Sequence, residues 1–172
     1  MPKNIEIKAR IDSVDTLSAA VAALADSGPV EIAQDDTFFR CGNGRLKLRM
    51  FAQDSGELIF YQRADQQGPK ESFYVRSVTT EPVKLRETLA LAYGQAGRVR
   101  KQRTLFLVGR TRVHLDRVDG LGEFMELEVV LEDGEAAANG IREAHDLMDR
   151  LGIEKTRLID GAYVDLLSRT GA

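Results

Sequence analysis

Four carboxylates fall on predicted strands with a spacing that suits a metal site. Glu126 and Glu128 are two residues apart on one strand, so both side chains leave the same face. Glu6 and Asp116 lie on two other predicted strands, and Asp36 is a less certain member of the set. Carboxylate oxygens from several strands suit Mg²⁺ or Mn²⁺, which also bind phosphate oxygens. These acids therefore predict a site for a divalent metal.

Lysine and arginine side chains occupy the same charged strand faces. Arginine binds phosphate oxygens through its planar fork, and lysine adds a compact positive charge. Bases arranged around a divalent metal suit a polyanion, so the combination indicates a metal-dependent triphosphate site. The basic set comprises Lys8, Arg10, Arg45, Lys47, Arg49, Arg63, Arg76, Lys101, Arg103 and Arg112.

Strands must position these residues, because most of the segments that carry them alternate between apolar and polar side chains. The first segment places Ile5 and Ile7 on one face and Glu6 and Lys8 on the other. Eight strands are predicted in this way, over residues 4–11, 36–40, 45–51, 57–63, 71–78, 98–108, 110–117 and 123–131.

Helical segments separate some of these strands. Asp12-Ser13 supplies capping side chains for a helix over about residues 14–26, and Gly28-Pro29 is expected to end it. Gly94 or Gly97 is expected to end the second helix. The other predicted helices cover residues 81–95, 135–151 and 160–169.

The charged strand faces allow two architectures. In an ordinary half-buried sheet they would point into water. The opposite faces are apolar, however, and four helices can cover only part of an open sheet. We therefore expect an α+β chain built on an eight-stranded antiparallel barrel, or tunnel, with a charged lumen and helices packed outside. One such domain is expected over residues 1–172.

Composition excludes several classes of protein. The 24 Lys and Arg nearly balance the 27 Asp and Glu, whereas a general nucleic-acid binder would carry a strong basic excess. The single cysteine, Cys41, cannot form an internal disulfide. The N-terminal segment turns charged at once, and no run of about 18 apolar residues follows. We expect a cytoplasmic protein that binds neither nucleic acid nor membrane.

The ordered set of motifs resembles the CYTH family of triphosphate tunnel metalloenzymes, which includes class IV adenylyl cyclases, thiamine triphosphatases and tripolyphosphatases. Residues 5–8 (IEIK) are similar to the family's Glu-x-Glu-x-Lys strand. Residues 113–128 (VHLDRVDGLGEFMELE) are similar to the class IV cyclase pattern around the second acidic strand. Residues 46–49 (LKLR) and 101–103 (KQR) fall where the family places phosphate-binding bases. The resemblance spans nearly the whole chain.

The resemblance implies a role for each matching residue. Glu6, Glu126 and Glu128 would hold Mg²⁺ or Mn²⁺, with Asp116 as a further ligand or as a partner of the ligands. Lys8, Asp116 and Glu126 would form the catalytic set. The triphosphate would be bound by Lys8, Lys47, Arg49, Arg63, Lys101 and Arg103, with Arg76 as a weaker candidate.

Two positions depart from the family pattern. Asn4 replaces the first motif acid, which removes one negative charge from the mouth of the metal site. Arg63 stands where many members have lysine, which keeps the charge but changes the donor geometry.

The resemblance leaves three functions open. The leading one is conversion of ATP to cyclic AMP and pyrophosphate, because residues 113–128 are most similar to class IV cyclases. The second is hydrolysis of tripolyphosphate, thiamine triphosphate or a nucleoside triphosphate. The third is a non-catalytic polyphosphate- or nucleotide-binding module, which Asn4 favours and the retained carboxylates disfavour. Because similar cyclases are dimers, a homodimer is expected.

Several residues with reactive or aromatic side chains are predicted to have structural roles. A lone histidine such as His114 more often makes a structural hydrogen bond than acts as a base. Tyr163, in the last helix, is expected to pack in the core. Cys41 has no histidine near it in sequence and is expected to be inert.

Overall fold

The computed structural model describes residues 3–64 and 66–169, which form eight strands, four α-helices and one 3₁₀ turn. The strands are β1 (Lys3–Arg10), β2 (Ser27–Phe39), β3 (Arg45–Ala52), β4 (Ser55–Arg63), β5 (Lys70–Thr79), β6 (Gln95–Val108), β7 (Thr111–Val118) and β8 (Gly122–Val130). The helices are α1 (Val14–Leu24), α2 (Pro82–Tyr93), α3 (Ala137–Arg150) and α4 (Tyr163–Arg169), and the 3₁₀ turn covers Lys155–Arg157.

The strands close into a barrel in the order β1-β5-β4-β3-β2-β6-β7-β8, and every neighbouring pair is antiparallel. β1 closes the ring because it pairs with β5 on one side and with β8 on the other. The predicted fold class is confirmed. Strands from the first and second halves of the chain therefore contribute to the same lumen.

Apolar side chains on the outside of the barrel form the main core. Ile5, Ile7 and Leu127 are fully buried there, and they pack against residues such as Val21 of α1 and Leu147 of α3. Each fully buried aliphatic side chain of this kind stabilises the fold by roughly 1.5–3 kcal/mol. This core fixes the outward face of each strand, so the alternate residues must point into the lumen.

The boundary between α1 and β2 differs from the prediction. Ser13 caps α1 as expected, with its hydroxyl oxygen accepting a hydrogen bond from the Thr16 amide at 3.1 Å. The helix ends at Leu24, however, and Gly28-Pro29 lies within β2 instead of ending the helix. β2 is long because it pairs with β6 along nearly its whole length. That tertiary pairing outweighs the local turn signal.

Across the described ranges, every helix is too short or too polar to span a lipid bilayer.

Candidate functional site

Inward-facing side chains from all eight strands line one cavity of about 260 Å³. Eight lysines and arginines line it against five aspartates and glutamates, so the lumen carries an excess of positive charge among the described residues. Every predicted phosphate-binding residue and three of the four predicted metal ligands lie on this lining: Glu6, Lys8, Lys47, Arg49, Arg63, Lys101, Arg103, Glu126 and Glu128.

Asp116, the fourth predicted ligand, lies behind the lining and is completely buried. Arg103 donates to its two oxygens at 2.7 and 2.8 Å, and the Tyr163 hydroxyl donates to it at 2.9 Å. The Lys101 ammonium is 3.5 Å away. Burial opposes ionisation of Asp116, but Arg103 and Lys101 outweigh it and hold the pKa well below its usual range. Asp116 thus orients two of the predicted phosphate-binding bases.

Glu126 connects the acidic and basic parts of the lumen. Its carboxylate is 3.2 Å from the Lys8 ammonium and accepts a hydrogen bond from Arg103 at 3.0 Å. Burial opposes ionisation of Glu126, but Lys8 and Arg103 outweigh it and hold the pKa well below its usual range. Lys8 also donates to the Gly161 carbonyl and lies 3.9 Å from the centre of the Tyr163 ring.

Two further acid–base pairs lie next to Glu126. Arg63 donates to Glu6 at 3.0 Å, and Arg112 donates to Glu128 at 3.1 Å. β1 and β8 place Glu6 directly opposite Glu128. Burial and the nearby Glu128 carboxylate raise the pKa of Glu6, so bringing these two negative charges together is costly without a cation between them.

A third group of charges lies on β2 and β3. Arg49 donates to both oxygens of Asp36, at 2.8 and 2.7 Å, and the Lys47 ammonium lies 3.3 Å from the same carboxylate. Burial opposes ionisation of Asp36, but Arg49 and Lys47 outweigh it and keep the pKa low. Asp36 thus holds Lys47 and Arg49 together at one side of the cavity.

The buried lysines are incompletely neutralised. Burial is the main cause that lowers the pKa of Lys8 to about 8 and that of Lys47 to about 7, and neighbouring arginines add to it. Burial and Arg103 lower the pKa of Lys101 as well. A polyanion in the lumen would favour the charged forms of these lysines, because it would supply the missing negative charge.

The donor atoms around Glu126 fit a divalent metal. One atom each from His114, Glu126 and Glu128 lie within 4.8 Å of one another. The Asn4 side-chain oxygen and the His114 Nδ1 atom are buried and have no hydrogen-bond partner within residues 3–64 and 66–169. Two carboxylates with the buried His114 nitrogen close to them are a suitable ligand set for such an ion.

Four residues contribute to this site in ways that the sequence pattern predicts only in part. Tyr163 packs in a buried cluster as expected, and it also lines the cavity. His114, for which a structural role is predicted, lines the cavity, as does Asp36. Arg112 belongs to the predicted basic set, but its pairing with Glu128 depends on the register of β7 and β8. Alternation could identify the inward face of His114, whereas nothing in the sequence reveals that Tyr163 reaches Asp116.

Three other members of the basic set lie away from the centre. Arg76 lines the cavity with about half of its side chain exposed. Arg10 lies over the Phe124 ring, and Arg45 pairs with Asp165 of α4. Cys41, expected to be inert, is a free half-buried cysteine.

Comparison with known proteins identifies the family. A family model described as the CYTH domain matches residues 2–163. Adenylate cyclase CyaB of Aeromonas hydrophila is 25% identical to the chain, covering 96% of it and 89% of the relative.

Two solved structures share the fold. The PH1012 protein of Pyrococcus horikoshii OT3 has a TM-score of 0.84 at 20% identity, covering 95% of this chain and 99% of that one. The HpAC1 protein of Hippeastrum, described as having a dominant triphosphatase activity, has a TM-score of 0.68 at 16% identity, covering 99% and 96%. At these identities the likeness concerns the fold alone. Because the family model covers almost the whole sequence, the chain belongs to the CYTH domain family.

Proposed function

We propose that the protein is a divalent-metal-dependent enzyme that processes a triphosphate inside the barrel. One observation carries the proposal: a cavity in which lysines and arginines from β1, β3, β4 and β6 face a cluster of donor atoms that could hold a metal ion. Bases alone would suit any polyanion. Carboxylates in the same lumen would repel that anion, unless a cation lies between them.

Glu6, Glu126 and Glu128 are the residues proposed to hold Mg²⁺ or Mn²⁺. A bound ion would neutralise charge on the phosphate oxygens and orient them for displacement. Lys8 and Arg103 now contact Glu126, and Arg63 contacts Glu6. Lys8 and Arg63 would then exchange these carboxylates for phosphate oxygens, whereas Arg103 would exchange only its Glu126 contact and keep both bonds to Asp116.

The triphosphate would be held by Lys8, Lys47, Arg49, Arg63, Lys101 and Arg103, which approach the cavity from β1, β3, β4 and β6. Arg49 and Arg103 are each fixed by a two-oxygen contact with a buried carboxylate. Their geometry is therefore set before the substrate arrives, which lowers the entropic cost of positioning. We assign Asp116 a positioning role, because its oxygens face Arg103 and Tyr163 and not the cavity.

Cyclisation of ATP is the leading reaction. The ribose 3′-hydroxyl would release its proton to water as its oxygen forms a bond to the α-phosphorus. The bond from that phosphorus to the bridging oxygen would break, and pyrophosphate would leave with the electron pair. The similarity to adenylate cyclase CyaB supports this version. Lys8 and Glu126 are the proposed catalytic residues, because they contact each other on the lining of the cavity.

Hydrolysis of a triphosphate is the second candidate. The lumen groups act on the triphosphate portion, which ATP and tripolyphosphate share, and the activity described for HpAC1 supports this version. A non-catalytic module is disfavoured by the carboxylate cluster, although Asn4 reduces the acidic charge available to a metal.

Product analysis separates these candidates. The purified protein is incubated with ATP or tripolyphosphate and Mg²⁺ or Mn²⁺, and every phosphorus-containing product is identified. Cyclic AMP with pyrophosphate supports the cyclase, whereas orthophosphate without cyclic nucleotide supports the triphosphatase. No product with either metal would overturn the enzymatic proposal and leave the binding module.

The Glu126→Gln substitution tests the metal role. We expect turnover to fall at least about 100-fold, since a metal supplies several kcal/mol of charge stabilisation. Binding of tripolyphosphate in chelator should instead become tighter, because the substitution removes a negative charge beside Lys8 and Arg103. Turnover is measured with and without metal, and binding by calorimetry. Metal-dependent turnover that survives in this variant would contradict the assignment.

A further inference from the structure

His114 is a buried nitrogen donor that the proposed reaction does not use. Its side chain lines the cavity and is only 6% exposed. Its Nδ1 atom has no hydrogen-bond partner in the part of the chain that the structure describes, although buried ring nitrogens are ordinarily bonded. The nearest carboxylate oxygen, on Glu126, is 3.7 Å away, beyond hydrogen-bond range. If His114 had only a structural role, we would expect this nitrogen to be hydrogen-bonded.

The strand register brings His114 to the metal-binding carboxylates. β7 and β8 place His114 directly opposite Glu126 and Arg112 directly opposite Glu128. The three donor atoms of His114, Glu126 and Glu128 lie within 4.8 Å of one another. Ligands at about 2.1 Å from one ion lie up to about 4.2 Å apart, so a small side-chain movement would bring all three into contact with it.

We propose that His114 is a ligand of the catalytic metal through Nδ1, together with Glu126 and Glu128. This inference rests on the proposed function, because it concerns the same metal. It goes further by giving the site a nitrogen donor and therefore a different ion preference. Imidazole favours first-row transition ions, whereas Mg²⁺ requires oxygen ligands.

The Asn4 position strengthens this assignment. Two residues before Glu6 on β1, Asn4 offers a neutral oxygen that lacks a hydrogen-bond partner among the described residues, where a carboxylate would favour hard ions. A site with an imidazole ligand, and with an amide in place of a nearby acid, carries less negative charge and holds Mg²⁺ less well. We therefore expect the protein to bind Mn²⁺ and Co²⁺ in preference to Mg²⁺.

Electron spin-echo envelope modulation on the Mn²⁺-loaded protein tests the nitrogen ligand directly. The full chain is stripped with chelator and loaded with less than one equivalent of Mn²⁺. The expected spectrum contains ¹⁴N modulation from a coordinated imidazole in the wild-type protein. The modulation should be lost in His114→Gln and kept in His145→Gln, which changes the other of the two histidines, on α3 outside the barrel.

Metal affinity gives a second readout that does not depend on turnover. Mn²⁺ and Co²⁺ binding should weaken at least about tenfold in His114→Gln, with a smaller change for Mg²⁺. Circular dichroism and tripolyphosphate binding in chelator report whether that variant is folded, and a wild-type spectrum without ¹⁴N modulation overturns the assignment whether or not the variant folds.

The outcomes separate this inference from the proposed function. Mn²⁺ binding at Glu126 without ¹⁴N modulation would overturn the role of His114 and leave a metal-dependent enzyme intact. Absence of any Mn²⁺ binding, with or without tripolyphosphate, would overturn both. Modulation that persists in His114→Gln would also overturn the assignment.

Discussion

At the scale of single residues, the lumen holds its charges by pairing each buried arginine with an acid. Arg49 pairs with Asp36, and Arg103 pairs with Asp116. Removing one partner of such a buried pair lowers the free energy of unfolding by about 3–5 kcal/mol, because the remaining charge is left uncompensated. The lysine charges are less completely neutralised. Lys47, for example, shares the Asp36 carboxylate with Arg49. The residues that bind phosphate are therefore partly unsatisfied before substrate arrives.

Lys47 makes the stability of the empty protein depend on pH. Burial, with Arg49 beside it, lowers its pKa to about 7 from the ordinary 10.5. Between these values the unfolded state binds more protons than the folded state, so the free energy of unfolding should rise as pH rises from about 7 to 9. Urea denaturation at pH 7, 8 and 9 measures the slope.

Two variants complete that measurement. Lys47→Met removes the titrating group, so its slope should be smaller than that of the wild type. Lys84→Met changes an exposed lysine of α2 and should keep the wild-type slope. Equal slopes for the wild type and Lys47→Met would show that burial does not suppress this charge.

At the scale of elements, α4 brings Tyr163 into the lumen, and one glycine makes its approach possible. Gly97 lies in β6, and a Cβ there would be 2.4 Å from the Val164 side chain. Tyr163 and Val164 pack with Phe38, Val99 and Phe124 in a second buried cluster. α4 therefore packs against β6 only because that strand has no side chain at this point.

Gly97→Ala should displace α4. Forcing a methyl group into this contact costs about 1–3 kcal/mol, because the branched Val164 side chain has little freedom to move. We expect a lower free energy of unfolding in urea and slower turnover, since Tyr163 would lose its bond to Asp116. Gly42→Ala is the control, because its Cβ would meet nothing within 4 Å. Unchanged stability in Gly97→Ala would refute the close packing.

At the scale of the whole molecule, the barrel separates an apolar exterior core from a charged interior. Helices cover the apolar outer faces of β1 and β8. The alternate side chains of these strands must therefore point into the lumen. Closure of the sheet then converts charged faces into one cavity with more bases than acids. The expected homodimer stays a prediction at this scale.

An excess of bases in the lumen predicts stabilisation by polyanions. Tripolyphosphate in chelator at 100 times its dissociation constant should add about 2.7 kcal/mol to the free energy of unfolding. For a chain of this size that corresponds to roughly 5–11 °C in Tm, measured by scanning calorimetry. Arg98→Gln, at an exposed pair with Asp35 outside the lumen, should respond like the wild type. If the same concentration of tripolyphosphate stabilised Arg103→Met as much as the wild type, the anion would bind at a site outside the lumen.

The sequence by itself determined the secondary structure of most segments and the face on which each charge lies. Period-two alternation identifies the inward side of β1, β3 and β8, because the apolar side must be buried. This alternation was therefore sufficient to predict that Glu6, Lys8 and Glu126 belong to one candidate site. Local signals failed at Gly28-Pro29, where pairing with β6 continued β2 through a turn motif.

Only the tertiary structure decided which charged groups meet. Strand register is set by pairing across the barrel, so the contact between His114 and Glu126 and the burial of Asp116 behind Arg103 depend on neighbours distant in sequence. The reach of Tyr163 into the lumen depends on α4 packing against Gly97. Alternation specifies the side of a strand but not the partner opposite, because the partner is chosen by the energy of the closed sheet as a whole.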